Sequence, residues 1–175
     1  MFIETLTTAT STSTLAAIDS ASLRQLRDNQ LRNCFTRFDE VRYRMEFVAR
    51  IHDKEYYNDA MARSVNATLY TMENMDGGLI WIAQGGDTLT DYTRLRSVVL
   101  RKVHALVSLG PAAPLRRAFG DIVPIIEEVD TMAQAAGFSR YAPLDHIKVL
   151  FSPASSVGLP VDEAGRLFSH EVNEL

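Results

Sequence analysis

Ten residues near the middle of the chain, Gly77-Gly78-Leu79-Ile80-Trp81-Ile82-Ala83-Gln84-Gly85-Gly86, constrain the fold more than any other stretch. Two glycine pairs bracket five apolar residues, including the only tryptophan, and supply four of the nine glycines. Leu79–Ala83 is too short for an independent helix and is closed off at both ends, so it is expected to be a short buried strand. Behind it runs the most apolar helical pattern of the sequence, Asp91–Gly110. Leu95, Val99, Val103 and Leu106 share one broad face there, and Val98, Leu100 and Val107 widen it. A helix apolar over so much of its circumference belongs in a core. Thr88, Thr90 or Asp91 is expected to cap its start.

The remaining elements are read as cover for this pair. Ser20 or Ser22 starts a helix through Leu31, and a second helix over 36–51 carries Phe38, Val41, Met45 and Val48 as one stripe. Asp53 caps a third, Lys54 to Met75, whose stripe includes Met61, Met72 and Met75, an adaptable packing face. Asp76-Gly77-Gly78 stops it. Gly110-Pro111-Ala112-Ala113-Pro114 is the clearest break in the chain. Asp121 then caps a helix with Pro124 in its first turn and Gly137 at its end. Ile147–Phe151 is a second strand candidate, and Val161–Asn173 a closing helix.

The expected fold is therefore mainly α: a single-domain bundle of five to six helices with a minimal two-stranded β element, formed by pairing 79–83 with 147–151. Residues 1–22, with ten Ser or Thr, are set apart as a hydroxyl-rich arm, and 23–175 form one helical domain with its break at 110–114. At 175 residues, with 46% hydrophobic and 23% charged, the chain has the composition of one globular domain. No apolar run approaches the ~18 residues of a membrane span. The N-terminus lacks the basic and apolar regions of a secretory signal, so a cytoplasmic location is expected, with an unfolded export signal in 1–22 as the alternative.

Charge supplies the one feature that a core does not explain. The net −4 is distributed as −2 over 1–19, +4 over 20–118 and −6 over 119–175. Residues 94–117 hold six bases (Arg94, Arg96, Arg101, Lys102, Arg116 and Arg117) and no acid. On a continuous helix Arg94, Arg101 and His104 form a polar strip. With Arg116 and Arg117 they are the expected partner-binding residues, meeting the acidic 119–175 region of a second copy or another protein. The same strip admits nucleic acid as an alternative. The sequence pI of about 5.5 and the lack of stacking aromatics there disfavour it.

Catalytic patterns fail one by one. Three of four histidines adjoin a carboxylate, in His52-Asp53, Asp145-His146 and His170-Glu171. His52, Asp53 and His146 are candidates for a small metal-dependent hydrolase, but no metal-ligand spacing of the HExxH kind accompanies them. Cys34, the only cysteine, excludes an internal disulfide and sits beside Phe35 as an inert thiol. Ser155-Ser156-Val157-Gly158 lacks the glycine that a nucleophile elbow requires. Gly85-Gly86-Asp87-Thr88 precedes a helix, yet no Lys-Ser/Thr follows and Asp87 would repel phosphate. The expected function is non-catalytic, an interaction or assembly protein acting by self-association or through a protein partner. It needs no cofactor, metal or membrane.

Overall fold

The computed structural model describes residues 42–175. The hydroxyl-rich arm, the helices expected between residues 20 and 41, and Cys34 lie outside them. The described chain is an α/β fold, not a helical bundle. Six strands, β1 (Glu46–Ile51), β2 (Lys54–Asn58), β3 (Leu79–Gln84), β4 (Val103–Leu109), β5 (Ile125–Val129) and β6 (Lys148–Phe151), form one sheet in the order β1-β2-β6-β3-β4-β5. The β1–β2 hairpin is antiparallel, and every other pairing is parallel. Five helices connect or follow the strands: α1 (Val65–Asn74), α2 (Arg96–Lys102), α3 (Ala113–Phe119), α4 (Met132–Tyr141) and α5 (Val161–Asn173).

Strand β3 is the axis of this arrangement. It pairs with β6 on one edge and β4 on the other, and Leu79–Ala83 are wholly buried. Ile80 and Ile82 face a core with Met132, Ala135, Ala164 and Phe168 of α4 and α5. Leu79, Trp81 and Ala83 face the other core, with Met72, Val98, Leu115 and Phe119 of α1, α2 and α3. A parallel strand covered by helices on both faces must be apolar throughout, which is what its sequence is. Strands 79–84 and 148–151 do pair, but as two members of a larger sheet.

The helical expectation failed where a buried strand imitates a helix. In place of one helix over Asp91–Gly110, a 3₁₀ turn (Thr93–Leu95) leads into α2, which ends at Lys102, and β4 follows without a linker. Val103, Ala105, Leu106 and Val107 are buried because β4 is covered on both faces, a pattern indistinguishable from an all-round apolar helix. The helix expected to run through Ile51 is instead the hairpin strand β1, and Lys54–Asn58 is its partner. Asp53 lies in their two-residue turn and caps no helix. The methionine stripe divides accordingly: Met72 and Met75 are core, whereas Met61 is exposed in the loop after β2. Ile125–Val129 is an edge strand whose Glu127 and Glu128 are exposed, and Gly137 lies inside α4 instead of ending it.

Two lysines are spent inside the fold. Lys54, only 6% exposed, donates from Nζ to the carbonyls of Ser139 (3.1 Å), Arg140 (2.8 Å) and Ala142 (2.7 Å) at the C-terminus of α4. Lys102 does the same for α1, reaching Met72 (2.7 Å), Glu73 (3.3 Å) and Met75 (2.6 Å). Each ammonium satisfies carbonyls that the helix leaves unpaired, at the negative end of its dipole. Replacing Lys54 by Met should lower the unfolding free energy by about 2 kcal/mol, because buried charge-assisted bonds are lost and carbonyls are stranded. Lys148→Met, at a half-buried site with no such carbonyls, should stay within about 0.5 kcal/mol of the wild type. Urea denaturation of both variants checks the contrast.

A candidate binding crevice at the carboxyl edge of the sheet

The helices that follow β2, β3 and β4 lie on one face, and those that follow β5 and β6 on the other. Strands β3 and β6 are neighbours, so the chain leaves their carboxyl ends in opposite directions. A crevice at such a reversal is where open parallel sheets bind ligands. Here it is bordered by Gln84–Asp87 after β3, Ser152–Pro160 after β6 and Asp59–Arg63 after β2.

Buried hydroxyls and two aspartates hold these loops in register. Asp59 is wholly buried. Its Oδ2 accepts Thr71 Oγ1 (2.5 Å) and Ser152 Oγ (3.4 Å), and its Oδ1 accepts the Met45 amide (3.2 Å) and Arg44 Nη1 (3.4 Å). Ser152 also bonds Thr68 Oγ1 at 2.8 Å, and its carbonyl takes the Trp81 indole N–H at 2.8 Å. Burial outweighs these bonds and raises the Asp59 carboxyl to about 6. Asp87 is the opposite case. Its Oδ2 accepts the hydroxyls of Ser155 (2.5 Å) and Thr90 (2.6 Å), which hold its carboxyl below the usual range. Its Oδ1 accepts the Leu89 and Thr90 amides. Asp87 thus folds its own loop and ties it to the loop after β6. Nearby, the buried Tyr92 hydroxyl has no hydrogen-bonding partner among the described residues, and burial beside Asp87 pushes it up to about 12.

Gly85 and Gly86 do not cradle an anion. Their amides donate to the carbonyls of Leu109 and Pro111 (both 2.8 Å), which closes the loop after β3 onto that after β4. Gly85 permits this approach, since a Cβ there would lie 2.6 Å from the Gly110 carbonyl oxygen. Arg63 borders the crevice from the loop after β2, and its guanidinium donates to the carbonyls of Ser156 and Leu159 (3.0 Å to the latter). Arg63 and Asp59 were not singled out from sequence, and Asp87 and Ser155 were met there only in a phosphate loop and a nucleophile elbow that both failed. Their shared signal is a position just past a strand end, which is visible only when the strands are known.

The residues that were singled out lie elsewhere. His52, Asp53 and His146 do come together, at the amino ends of β2 and β6. With Arg50, Glu55 and Lys148 they line a cavity of about 410 Å³ at the edge opposite the crevice. Asp53 Oδ2 accepts the His146 amide at 3.1 Å, which holds the Asp53 carboxyl below its usual range. No cluster of three or more metal-ligating side chains occurs among the described residues. Arg94, Arg101 and His104 do not share a strip, because His104 stands exposed on β4 and not on the helix. Arg94 bonds Asn66 at 2.7 Å, and Arg101 forks onto Glu73 at 2.7 and 2.9 Å. Arg116 and Arg117 end α3 as exposed side chains. Arg96 reaches the acidic region within the chain, pairing with Asp121 through Nη2–Oδ2 at 2.6 Å. No helix among the described residues is long and apolar enough to cross a membrane.

No family model matches the chain. Curated relatives do. It is 35% identical to the UDP-N-acetylmuramoylalanine--D-glutamate ligase of Salinibacter ruber over 81% of this chain and 31% of that enzyme. It is 33% identical to the ligase of that name from Christiangramia forsetii, over 92% of this chain and 37% of the enzyme. The Chlorobaculum parvum ligase is 29% identical over 92% of the chain and 35% of the enzyme. Among solved structures, MurF ligase from Thermotoga maritima in complex with ADP aligns with 77% of this chain and 32% of its own at 10% identity, with a TM-score of 0.49. The chain spans about a third of the length of the curated relatives it matches. These relatives are enzymes, and that overturns the expectation of a non-catalytic assembly protein, together with its hydrolase and nucleic-acid alternatives.

The raised Asp59 carboxyl makes stability depend on pH in a definite direction. Its folded value of about 6 stands above the ordinary 3.8, so the folded protein holds this proton more tightly than the unfolded chain. Its contribution is complete below the ordinary value and is lost as pH rises through the folded one. At about 1.4 kcal/mol per unit, wild-type stability should fall by roughly 3 kcal/mol from this group across that window. Asp59→Asn should remove that slope while keeping the Thr71 and Ser152 bonds, whose hydroxyls can turn to accept. Urea melts across the window measure both slopes.

Proposed function

We propose that this chain serves as a substrate-positioning segment of a ligase that joins an amino acid to UDP-N-acetylmuramoylalanine, as its relatives' names describe. The observation that carries the proposal is 29–35% identity to several such ligases over at least four fifths of the chain. The fold agrees with a binding role, since its crevice lies at the chain reversal of a parallel sheet. In this reading the crevice takes the amino-acid substrate, D-glutamate, whose two carboxylates suit the Arg63 guanidinium at its rim. Holding the incoming amine in one orientation is the contribution that a rigid edge makes to bond formation.

The chain then works with the portions that its longer relatives carry, whether joined to it or supplied by a separate protein. That is the form which the expected protein partnership takes here, and a cytoplasmic location belongs to the same proposal. The Asp59 and Asp87 carboxylates are already saturated by internal donors. They shape the site without contacting substrate.

Titration of the ¹⁵N-labelled chain with D-glutamate tests the proposal by amide chemical shift. Shifts should concentrate at residues 59–63, 84–90 and 152–160, with L-glutamate weaker by several-fold. Shifts that gather at His52 and His146 instead, or none at any concentration, would discard it.

A further inference from the structure

The crevice is closed as it stands. Residues 156–160, all exposed, cross it as a strap between the end of β6 and the start of α5. Beneath the strap remains a void of about 30 Å³, bordered by Arg63, Gln84, Phe151, Pro153 and Ala164. That is room for roughly one water and far too little for an amino acid. Gly158 lies directly on the Gln84 side chain, where a Cβ would come within 2.6 Å of Cδ. Gln84 cannot tether the strap, because its amide nitrogen is turned to the carbonyls of Leu109 (3.1 Å) and Gly85 (3.4 Å).

The hydrogen bonds that tie the strap across the crevice come from one side chain among the described residues. Ser155, at its root, is fixed to Asp87 and accepts the Val157 amide. Among the described residues, the hydrogen bonds that reach 156–160 from the sheet's other loops are the two from Arg63, to the Ser156 and Leu159 carbonyls. These are bonds from a cation to neutral oxygens. A carboxylate offers the same fork two charged oxygens in a bidentate geometry that two separate carbonyls do not match. Val157 (48% exposed) and Leu159 (43%) also border the void, and their half-covered side chains add a smaller apolar hold.

We propose that Arg63 is a latch operated by carboxylate: a carboxylate ligand takes the guanidinium from the Ser156 and Leu159 carbonyls, frees the strap and opens the crevice that it covers. The identity of the carboxylate as D-glutamate rests on the ligase reading above, whereas the latch itself does not. Arg63 is here a recognition residue that couples binding to opening.

Backbone ¹⁵N relaxation of residues 156–160 is the test, in the full chain. In the free wild type their order parameters should match the rigid sheet, about 0.85, and in Arg63→Ala they should fall below about 0.6 without any ligand. Glutarate should loosen the wild-type strap in the same way, and its neutral diamide should not. Arg63→Lys keeps the charge but cannot bridge two carbonyls, so its strap should lie between the two. Amide dispersion elsewhere in the spectrum confirms that the variants are folded. A strap as rigid in Arg63→Ala as in the wild type would overturn the latch, and so would a wild-type strap indifferent to glutarate. Loosening by glutarate but not by D-glutamate would leave the latch standing and remove the ligase reading.

Discussion

A strand paired on both edges and covered on both faces leaves no solvent for any polar atom, and β3 is such a strand. Its one polar side-chain atom within Leu79–Ala83, the Trp81 indole nitrogen, must therefore find an acceptor, and it finds the Ser152 carbonyl at 2.8 Å. That bond fixes the chain just beyond β6. The Ser152 hydroxyl then meets Thr68 on α1 and the buried Asp59 beyond β2. Three separated segments are thus placed by the need to satisfy a few buried polar atoms around one apolar strand. The crevice is the space that this placement leaves at the carboxyl ends.

Helix termini obey the same rule at the opposite edge. The C-termini of α1 and α4 meet the protein interior, where their carbonyls would go unpaired, and one ammonium serves each. The chain has three lysines; Lys54 and Lys102 are committed in this way, and Lys148 lies beside the cavity at the amino end of β6.

Much of the sheet was legible in the sequence only at its centre. Leu79–Ala83 and Ile147–Phe151 could be read as strands because both are short and are closed by glycine or proline. The closing helix Val161–Asn173 was legible too, after Pro160 and with Asp162 in its first turn. Strand β4 was not, because no breaker stands between Lys102 and Val103 and its burial on both faces erases the alternation of a strand. The β1–β2 turn carries no glycine. His52 takes the left-handed conformation there, with φ of 54°, so the usual hairpin signal is missing. Of the site, the sequence offered the His52, Asp53 and His146 trio, which does converge but at the edge where parallel sheets do not bind ligands. Arg63 is one of fifteen arginines until strand order places it at a crevice.

The directions of the helices have a consequence for this edge. Each of α1, α4 and α5 follows a strand and so starts at the carboxyl edge and ends at the amino edge. Their partial positive ends converge around the crevice, while the lysines neutralise the negative ends of α1 and α4 far from it. The part of this edge's field that comes from helix termini is built into peptide groups, which neither titrate nor mutate, and at α5 it is met by Asp162 and Glu163 in the first turn. A field of that origin persists across the pH range in which Asp59 changes its charge. It also survives drift in surface side chains, so long as the order of strands and helices is kept.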